Sequence, residues 1–189
     1  KDYSNSEDKR TFYADLVTRN AQQLLEIITD IITLSSLETR QEKVNYRKTN
    51  INQILATQHS RYAREAKAAG LKLIFNPEYE EEQALFFVDG TKIFKIISNL
   101  LSNAIKYTSK GKIEYGYSIK TGFIVFYVSD TGRGIHPDLH EEIFKQFRQV
   151  DSKLKDGVYK GTGIGLPICK GLVELMGGKI WLESEKDKG

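Results

Sequence analysis

The sequence predicts an α+β protein: a two-layer α/β sandwich in which helices cover a mixed sheet, preceded by one long amphipathic helix. Apolar residues recur in alternating steps of three and four over residues 11–37, which is the spacing of one buried helical face. After residue 39, short apolar or alternating segments are interleaved with helical patterns, as expected of strands and helices packed in two layers. An apolar content of 40% in 189 residues is sufficient to bury a core of that kind.

The first predicted element is the amphipathic helix at residues 11–37. Its apolar stripe is wider than the seam of a two-stranded zipper, which favours packing in a four-helix bundle. Asn20 falls inside this stripe, where a single polar residue can specify register at a cost in stability. The residues that define the stripe are Val17, Asn20, Leu24, Ile27, Ile31 and Leu34, widened by Leu25, Ile28 and Ile32.

The sandwich is predicted to begin with a short strand at residues 44–49 and a helix at residues 51–69. Gly70 follows this helix where a C-terminal cap is expected, because glycine readily adopts a positive φ. Strands are predicted at residues 71–75 and 84–88. The acidic stretch between them, residues 78–82, is interpreted as a solvated turn.

A second covering helix is predicted to run through residue 107. Asp89 is placed to cap its N-terminus. Residues 113–120 and 123–129 alternate or run apolar around Thr121 and Gly122, which predicts a hairpin. A helix at residues 163–176 and a strand at residues 179–183 complete the predicted order. The buried side of the second covering helix would carry Ile93, Ile96, Ile97, Leu100, Leu101 and Ile105.

Charge and cysteine content exclude several classes of function. The 28 basic and 25 acidic residues leave a net charge of only +3, and the basic residues are scattered, so nucleic-acid binding is not predicted. Cys169 is the single cysteine, which excludes an intrachain disulfide and a cysteine-based zinc cluster and is consistent with a reducing compartment. Its position in an apolar helical pattern predicts a packed core thiol. The sequence contains no run of about 18 apolar residues that would span a membrane and no signal peptide.

Three motifs carry the information on function: NLLSNAIKYT at residues 99–108, DTGRGI at residues 130–135 and GTGIGL at residues 161–166. Each has an ordinary alternative when taken alone. An asparagine on an apolar helix is most often a buried amide, and the aspartate and glycines of DTGRGI could form a turn. GTGIGL differs from a dinucleotide-binding GxGxxG because Leu166 stands at the third glycine, and the chain has no GK[ST] that would make a P-loop.

In this order and spacing the three motifs resemble the nucleotide-binding boxes of the sensor histidine kinases of two-component signalling. The resemblance covers roughly residues 11–189 and implies the Bergerat-type ATPase fold shared with gyrase, the Hsp90 chaperone and MutL. It implies that residues 1–40 hold only the second helix of the dimerisation and phosphotransfer hairpin, without the phosphoacceptor helix. Residues 41–189 would be the ATP-binding catalytic domain with its last strand truncated, because family members commonly continue with Ser-Thr-Phe and a further strand. We therefore expect weaker adenine binding than in a complete domain.

The asparagine helix is expected to hold the phosphate and metal end of the site. Asn99 and Asn103 are four residues apart and therefore share one helical face, which Lys106 and Tyr107 continue one turn later. By resemblance, Asn103 is the magnesium ligand, supported by Asn99, and Asn103 and Lys106 are the catalytic residues. An amide oxygen suits magnesium, which is commonly shared with substrate phosphates, and Lys106 would add a positive charge beside them. Tyr107 is expected to line the pocket near the nucleotide.

The two glycine-bearing motifs are expected to hold the base and the phosphates. By resemblance, the Asp130 carboxylate accepts a hydrogen bond from the adenine amino group, which guanine lacks at that edge, and Gly132 and Gly134 let the backbone approach the base. Backbone amides of GTGIGL and a helix N-terminus would face the phosphates, beside a polar lid at residues 149–160 that we expect to be mobile without nucleotide. The remaining expected nucleotide contacts are Ile135, Phe144, Phe147, Arg148, Lys160, Gly161, Thr162, Gly163, Gly165 and Leu166.

The function implied by the resemblance is transfer of the γ-phosphoryl group of Mg-ATP to a histidine of the hairpin, followed by relay to an aspartate of a receiver domain. The parent protein would form a homodimer through the helical hairpin and act on a response regulator, separate or fused. This domain would lie in the cytoplasm below a membrane-bound sensor, with no nucleic-acid or membrane contact of its own. We do not expect the acceptor in this chain, because no histidine precedes residue 11 and His59, His136 and His140 are interpreted as structural or solvent-facing.

Two other functions remain open at this point. ATPases of the gyrase, Hsp90 and MutL type activate water with a glutamate in the asparagine helix, and residues 98–102 contain none, which favours transfer over hydrolysis. A non-catalytic dimerisation or interaction module could also keep the fold and signal by conformation. Nucleotide binding would distinguish such a module from a kinase.

Overall fold

The computed structural model describes residues 3–148 and 162–189. A long N-terminal helix, α1 (Tyr3–Glu38), precedes a domain in which helices lie against strands. In chain order that domain contains β1 (Arg47–Asn50), α2 (Ile51–Ala68), β2 (Leu71–Asn76), β3 (Leu85–Val88), α3 (Gly90–Tyr107), β4 (Gly111–Lys120), β5 (Phe123–Asp130) and α4 (Gly165–Leu175). Short 3-10 helices occur at Glu81–Gln83, Pro137–Leu139 and Glu142–Phe144.

The described strands form one three-stranded and one two-stranded sheet. In the larger sheet β4 is central, and it pairs in parallel with β2 and antiparallel with β5. The smaller sheet pairs β1 antiparallel with β3. Parallel and antiparallel ladders coexist, so the predicted mixed sheet is confirmed. Thr121 and Gly122 connect β4 to β5 with φ values of 50° and 82°, the left-handed conformation that a tight two-residue hairpin requires.

Helices α2 and α3 close the core over the larger sheet. Ile51 and Leu55 of α2 and Leu101 of α3 are fully buried together with Ile113 and Tyr115 of β4. Burying each such aliphatic side chain contributes roughly 1.5 to 3 kcal/mol. The Tyr115 hydroxyl donates to the Leu55 carbonyl oxygen at 3.0 Å, so the polar atom of this ring keeps a partner inside the core. Burial raises the pKa of Tyr115.

Asp89 caps α3 with a residue that is only 2% exposed. Its Oδ1 accepts hydrogen bonds from the backbone N–H groups of Thr91 and Lys92 at 3.1 and 3.2 Å and from the Thr91 hydroxyl at 2.6 Å. Its Oδ2 accepts from the backbone N–H of Asn45 at 2.8 Å. Lys92 compensates the buried charge, because its Nζ lies 3.4 Å from Asp89 and 2.7 Å from Glu42. The predicted N-cap is confirmed, and it also anchors the chain that leads into β1.

Helix α1 is longer than the helix predicted at residues 11–37, and its C-terminal part packs on the domain. Leu34 is buried in a cluster with Ile96 of α3 and Ile168 of α4, and an Asp30–Lys95 ion pair at 2.5 Å fastens the same part to α3. Neither α1 nor any other helix in the described part of the chain is long and apolar enough to cross a membrane. Much of the predicted bundle stripe stays exposed, namely Val17, Leu24, Leu25, Ile28, Ile31 and Ile32.

The strand predicted at residues 179–183 is wrong. Exposure alternates there as in a strand, with Ile180 and Leu182 half-buried and Trp181 and Glu183 exposed. The segment nevertheless pairs with none of the described strands, and a strand exists only where its backbone groups are paired with a neighbour. Several boundaries also differ from the predictions. The strand predicted at residues 44–49 spans Arg47–Asn50, the strand predicted from residue 113 begins at Gly111, and the helix predicted at residues 163–176 spans Gly165–Leu175.

We expect Asp89 to make folding sensitive to acid. Burial alone would raise the pKa of its carboxyl, but hydrogen bonds from Thr91, Asn45 and Lys92, together with the Lys92 charge, lower that pKa from 3.8 to about 2. Because the pKa is lower in the folded protein, the carboxylate stabilises the fold above pH about 4, and this stabilisation is lost as the pH falls toward about 2. The free energy of unfolding should therefore fall by about 2 kcal/mol between pH about 5 and pH about 2.

The measurement is urea denaturation of the wild-type chain and of Asp89→Asn over that pH range. Asparagine keeps an N-cap oxygen but does not titrate, so stability of the variant should depend less on pH. Asp138→Asn is the matched control, because the Asp138 side chain is 83% exposed. An Asp89→Asn variant with the same pH dependence as the wild type would contradict this expectation.

Candidate nucleotide-binding site

A cleft of about 1970 Å³ opens beside the polar face of α3. It exceeds a typical small-molecule pocket of roughly 300 to 1,000 Å³, because it extends from this face along β5 and toward α1. Ile97 and Leu101 of α3 point into the core, so the asparagine-bearing face of the same helix is left on the cleft side. The predicted site residues that line the cleft are Asn99, Asn103, Lys106, Tyr107, Asp130, Gly134, Ile135, Phe144, Arg148, Thr162, Gly163, Gly165 and Leu166.

Four predicted residues are not brought to the cleft by the described structure. Gly132 is buried and does not line the cleft, and Phe147 is 64% exposed and does not line it either. Lys160 and Gly161 lie outside the described residues. The lid predicted at residues 149–160 lies outside them as well.

Asn99 and Asn103 have different surroundings although they share one face of α3. The Asn99 amide donates through Nδ2 to the carbonyl oxygen of Gly165 at 3.2 Å, which ties α3 to the first residue of α4. None of the hydrogen bonds among the described residues engages the Asn103 amide, which is therefore available to a ligand. No cluster of three or more His, Cys, Asp or Glu residues that could hold a metal occurs in the described ranges. A magnesium ion at this site would accordingly use the Asn103 amide oxygen, phosphate oxygens and water, a donor set that suits its hard oxygen chemistry.

Asp130 ends β5 with its carboxylate held at one oxygen. Oδ1 accepts hydrogen bonds from the Thr108 hydroxyl at 3.2 Å and from the backbone N–H of Gly132 at 2.8 Å. The hydrogen bonds that described residues give to this carboxylate all reach Oδ1, so Oδ2 remains for a donor that enters the cleft. Thr108, which is 4% exposed, was not predicted as a site residue. Its place directly after Tyr107 was the available signal, but only the fold shows that it reaches Asp130.

The glycines of DTGRGI have a steric role within the protein. A Cβ at Gly132 would come within 2.6 Å of both the Asp130 Oδ1 and the Tyr107 carbonyl oxygen. A Cβ at Gly134, where φ is +61°, would come within 1.9 Å of the Glu185 carbonyl oxygen. Both glycines were predicted to let the backbone approach the base. The structure adds a second reason for them: the loop packs against the end of α3 and against the chain after residue 184.

Two residues with left-handed backbone conformation, Phe147 and Gly163, lie before the N-terminus of α4. Phe147 has a φ of 58°, and its backbone N–H donates to the Gly163 carbonyl oxygen at 3.1 Å. Gly163 has a φ of +71°, and a Cβ there would lie 2.9 Å from the Arg148 carbonyl oxygen. Thr162 accepts a hydrogen bond from the backbone N–H of Ile164 at 3.4 Å. These contacts bring residues 147 and 163 together at the N-terminal end of α4.

An apolar wall and several cationic side chains complete the cleft. Ile135 and Phe144 are half-buried, and the backbone N–H of Ile135 is held by the Ser184 hydroxyl at 2.9 Å. Lys106, Arg133 and Arg148 are among the lining residues that supply positive charge. Arg133 was not predicted as a site residue, although its position inside the second motif was the available signal.

The cysteine and the three histidines, all within the described residues, do not form a second reactive site. Cys169 is fully buried, and burial raises the pKa of its thiol to about 12, as suits the predicted core thiol. His59 stacks on Tyr115 with 6.2 Å between ring centroids. His136 lies 3.3 Å from Asp138, and His140 Nε2 lies 3.1 Å from the Ile135 carbonyl oxygen. The three histidines therefore sit in structural or surface positions.

Comparison with known proteins identifies the family of the domain. Residues 88–189 match the family described as histidine kinase-, DNA gyrase B-, and HSP90-like ATPase. Hybrid signal transduction histidine kinase D of Dictyostelium discoideum is 37% identical over 180 residues, which are 90% of this chain and 11% of that protein. The circadian input-output histidine kinase CikA of Synechococcus elongatus is 30% identical over 183 residues, 96% of this chain and 24% of that protein. The chain thus spans between about a tenth and a quarter of the length of these relatives.

A solved structure supports the fold independently. Full-length ShkA in complex with AMPPNP superimposes with a TM-score of 0.80 at 23% identity, over 95% of this chain and 37% of that one. A match over 95% of this chain extends beyond the α/β domain into α1. The chain therefore belongs to the histidine kinase-, DNA gyrase B- and HSP90-like ATPase family, in which its named relatives are histidine kinases.

Proposed function

We propose that this chain binds Mg-ATP and, as part of a longer histidine kinase, supports transfer of the γ-phosphoryl group to a histidine. The observation that carries the proposal is the Asp130 carboxylate. Thr108 and Gly132 hold its Oδ1, and Oδ2 is left for a hydrogen-bond donor in the cleft. Family membership supplies the second support, because the matched region contains all three motifs.

The Asp130 carboxylate is suited to the amino group of adenine. Adenine presents an exocyclic N–H₂ donor at the position where guanine presents a carbonyl oxygen, and a carboxylate repels that oxygen. A hydrogen bond with one charged partner contributes roughly 1.5 to 3 kcal/mol, about 10-fold to 150-fold in affinity. Because Oδ1 is already committed, Asp130 cannot rotate toward a different donor without losing two existing hydrogen bonds.

The part of the cleft between α3 and α4 is suited to phosphates. Asn103 would hold magnesium, and Lys106 and Arg148 would place positive charge beside the phosphate oxygens. The N-terminus of α4 begins at Gly165 beside the cleft, where helical N–H groups favour anions. Bound magnesium would neutralise charge that develops on the phosphates during transfer.

Phosphoryl transfer would break the bond between the γ-phosphorus and the oxygen that bridges it to the β-phosphate. The unprotonated ring nitrogen of the acceptor histidine forms the new bond to phosphorus, ADP leaves with the electron pair, and the imidazole then releases the proton of its other ring nitrogen. This chain contributes position and charge, which are the main requirements of such a reaction. We assign residues 1–40 to a dimerisation and phosphotransfer region and residues 41–189 to the ATP-binding domain.

A receiver domain is the proposed partner of the complete protein. One relative is named a hybrid signal transduction histidine kinase, and two-component relay passes the phosphoryl group from histidine to an aspartate of a response regulator. The exposed apolar stripe of α1, which includes Leu24, Ile28 and Ile31, supports homodimerisation through a helical hairpin.

Loss of the Asp130 carboxylate should weaken ATP binding and remove selectivity against GTP. Asp130→Ala is expected to raise the Kd for ATP by about 10-fold to 150-fold, because one charge-assisted hydrogen bond is lost. Isothermal titration calorimetry with ATP and GTP measures both effects. Asp138→Ala, which removes an exposed carboxylate, should bind like the wild type. Equal wild-type affinity for the two nucleotides would show that Asp130 does not read the base.

Asn103 is expected to account for the magnesium dependence of binding. In Asn103→Ala, ATP should bind with nearly the same affinity with magnesium as in the presence of a chelator, because the amide ligand is gone. Calorimetry in the two buffers gives this ratio for each protein. Asn76→Ala, which removes an exposed amide at the end of β2 outside the cleft, serves as control. If Asn103→Ala kept the wild-type ratio, the metal ligand would lie elsewhere.

The isolated chain is expected to bind ATP without phosphorylating itself. Helix α1 carries no histidine, and His59, His136 and His140 are held in structural or surface positions. Incubation with radiolabelled ATP and magnesium should therefore leave no acid-labile, base-stable phosphate on the chain. Adding a separately expressed hairpin that carries the acceptor histidine should restore transfer to that hairpin, since proximity is what is lacking. Phosphohistidine at any of the three histidines would refute this assignment.

A further inference from the structure

Arg133 spreads its side chain over the ring of Tyr107 at the mouth of the cleft. The guanidinium carbon lies 4.7 Å from the ring centroid, within the range of a cation–π contact. Both residues are half-buried and both line the cleft that contains Asn103 and Asp130. Tyr107 is the last residue of α3, whereas Arg133 belongs to the loop after β5, so the contact joins two separate elements of the site.

The backbone of Arg133 is anchored on both sides. Its N–H donates to the Tyr107 carbonyl oxygen at 3.4 Å, and its carbonyl oxygen accepts from the N–H of Asp187 at 2.7 Å. Gly132 allows this close approach, because a Cβ there would lie 2.6 Å from the same Tyr107 oxygen. Arg133 therefore has a fixed starting point directly beside the tyrosine, which limits where its guanidinium can lie.

A second cation on the same ring has a different position in the molecule. Lys106 Nζ lies 4.5 Å from the Tyr107 ring centroid. Lys106 precedes Tyr107 on the same helix, so this contact adds no tie between elements. An ammonium group is a compact charge that can turn toward phosphate, whereas a planar guanidinium can stack on an aromatic face. The tie between α3 and the glycine loop is therefore specific to Arg133.

We propose that Arg133 is a positioning residue for adenine nucleotides that acts through the ring of Tyr107. The guanidinium holds this ring in one orientation at the base end of the cleft, where an aromatic face favours stacking with a base. The inference rests on the proposed nucleotide-binding function and extends it by naming the residue that orients the base platform. It predicts that loss of Arg133 weakens the binding of the base and leaves the binding of the phosphates unchanged.

The alternative role for an arginine in this cleft is a direct ion pair with phosphate. The two roles differ in how binding depends on the ligand. If Arg133 acts through Tyr107, its loss lowers the affinity for adenosine, ADP and ATP by the same factor, and this effect disappears when Tyr107 lacks its ring. If Arg133 contacts phosphate, the loss of affinity increases from adenosine to ATP and persists without the ring. A double-mutant cycle separates the two.

The experiment measures the affinities of adenosine, ADP and ATP for the full chain by competition with a fluorescent adenine nucleotide. The variants are Arg133→Met, Tyr107→Leu and the double variant, and circular dichroism checks their folding. Arg133→Met should weaken all three ligands by the same factor, about 3-fold to 10-fold, the size of a partly desolvated cation–π contact. In the Tyr107→Leu background, Arg133→Met should change affinity by less than about 1.5-fold, because the contact is already lost.

Arg64→Met is the matched control, because it removes the same charge from an exposed position of α2 outside the cleft. If Arg133→Met does not fold, Arg133→Lys takes its place, with a smaller but again equal loss for the three ligands. A loss that increases with the number of phosphates, or one that persists in Tyr107→Leu, would overturn this inference and leave the proposed function intact. A wild-type chain that binds no adenine nucleotide would overturn both.

Discussion

The buried carboxylate of Asp89 is the interaction on which the arrangement of the domain depends. It closes the first turn of α3 through the backbone N–H groups of Thr91 and Lys92 and holds the chain before β1 through Asn45. A buried charge is tolerated only with partners, and here Lys92 and four hydrogen bonds supply them. The cap decides where α3 begins and fastens that end. From there the 3.6-residue period places one face of the helix on the sheet and the asparagine face on the cleft.

The proposed base end of the candidate site lies where the C-terminal end of α3 meets the C-terminal end of β5. The Thr108 hydroxyl donates a hydrogen bond to Asp130. The Tyr107 carbonyl oxygen accepts a hydrogen bond from the backbone N–H of Arg133, and the Tyr107 ring contacts the Arg133 guanidinium. The proposed phosphate end lies where α3 meets α4, and there Asn99 bridges the two helices. Helix α3 contributes to both parts of the site, so a shift of this helix would displace the proposed base contacts and phosphate contacts together.

Helix α1 has the apolar pattern of a bundle helix, but this chain buries only part of its apolar stripe. Its stripe has the spacing of a bundle helix, and Leu34 at its C-terminal part is buried against α3 and α4. Other members of the stripe, such as Leu24 and Ile32, remain more than half exposed. A contiguous apolar surface of this kind marks an interaction site, which agrees with the proposed dimerising hairpin.

The sequence by itself determined the types and order of most elements, because their signals are local. The Asp89 cap, the glycine after α2, the hairpin residues Thr121 and Gly122 and the helical periodicity of α3 each act within a few residues. It also identified the three motifs, and with them Asn103 and Asp130, since their spacing is a property of the chain alone.

Only the tertiary structure decided the contacts between distant segments. The hydrogen bond from Thr108 to Asp130 and the cation–π contact of Arg133 with Tyr107 depend on how α3 and β5 are packed, which no local pattern encodes. The same reason explains the unpaired segment at residues 179–183, because alternation predicts which side chains turn inward but not whether a neighbouring strand is in register. The sequence likewise could not determine how much of α1 is exposed. An apolar stripe indicates that the helix packs against a partner, but it does not indicate whether the same chain supplies that partner.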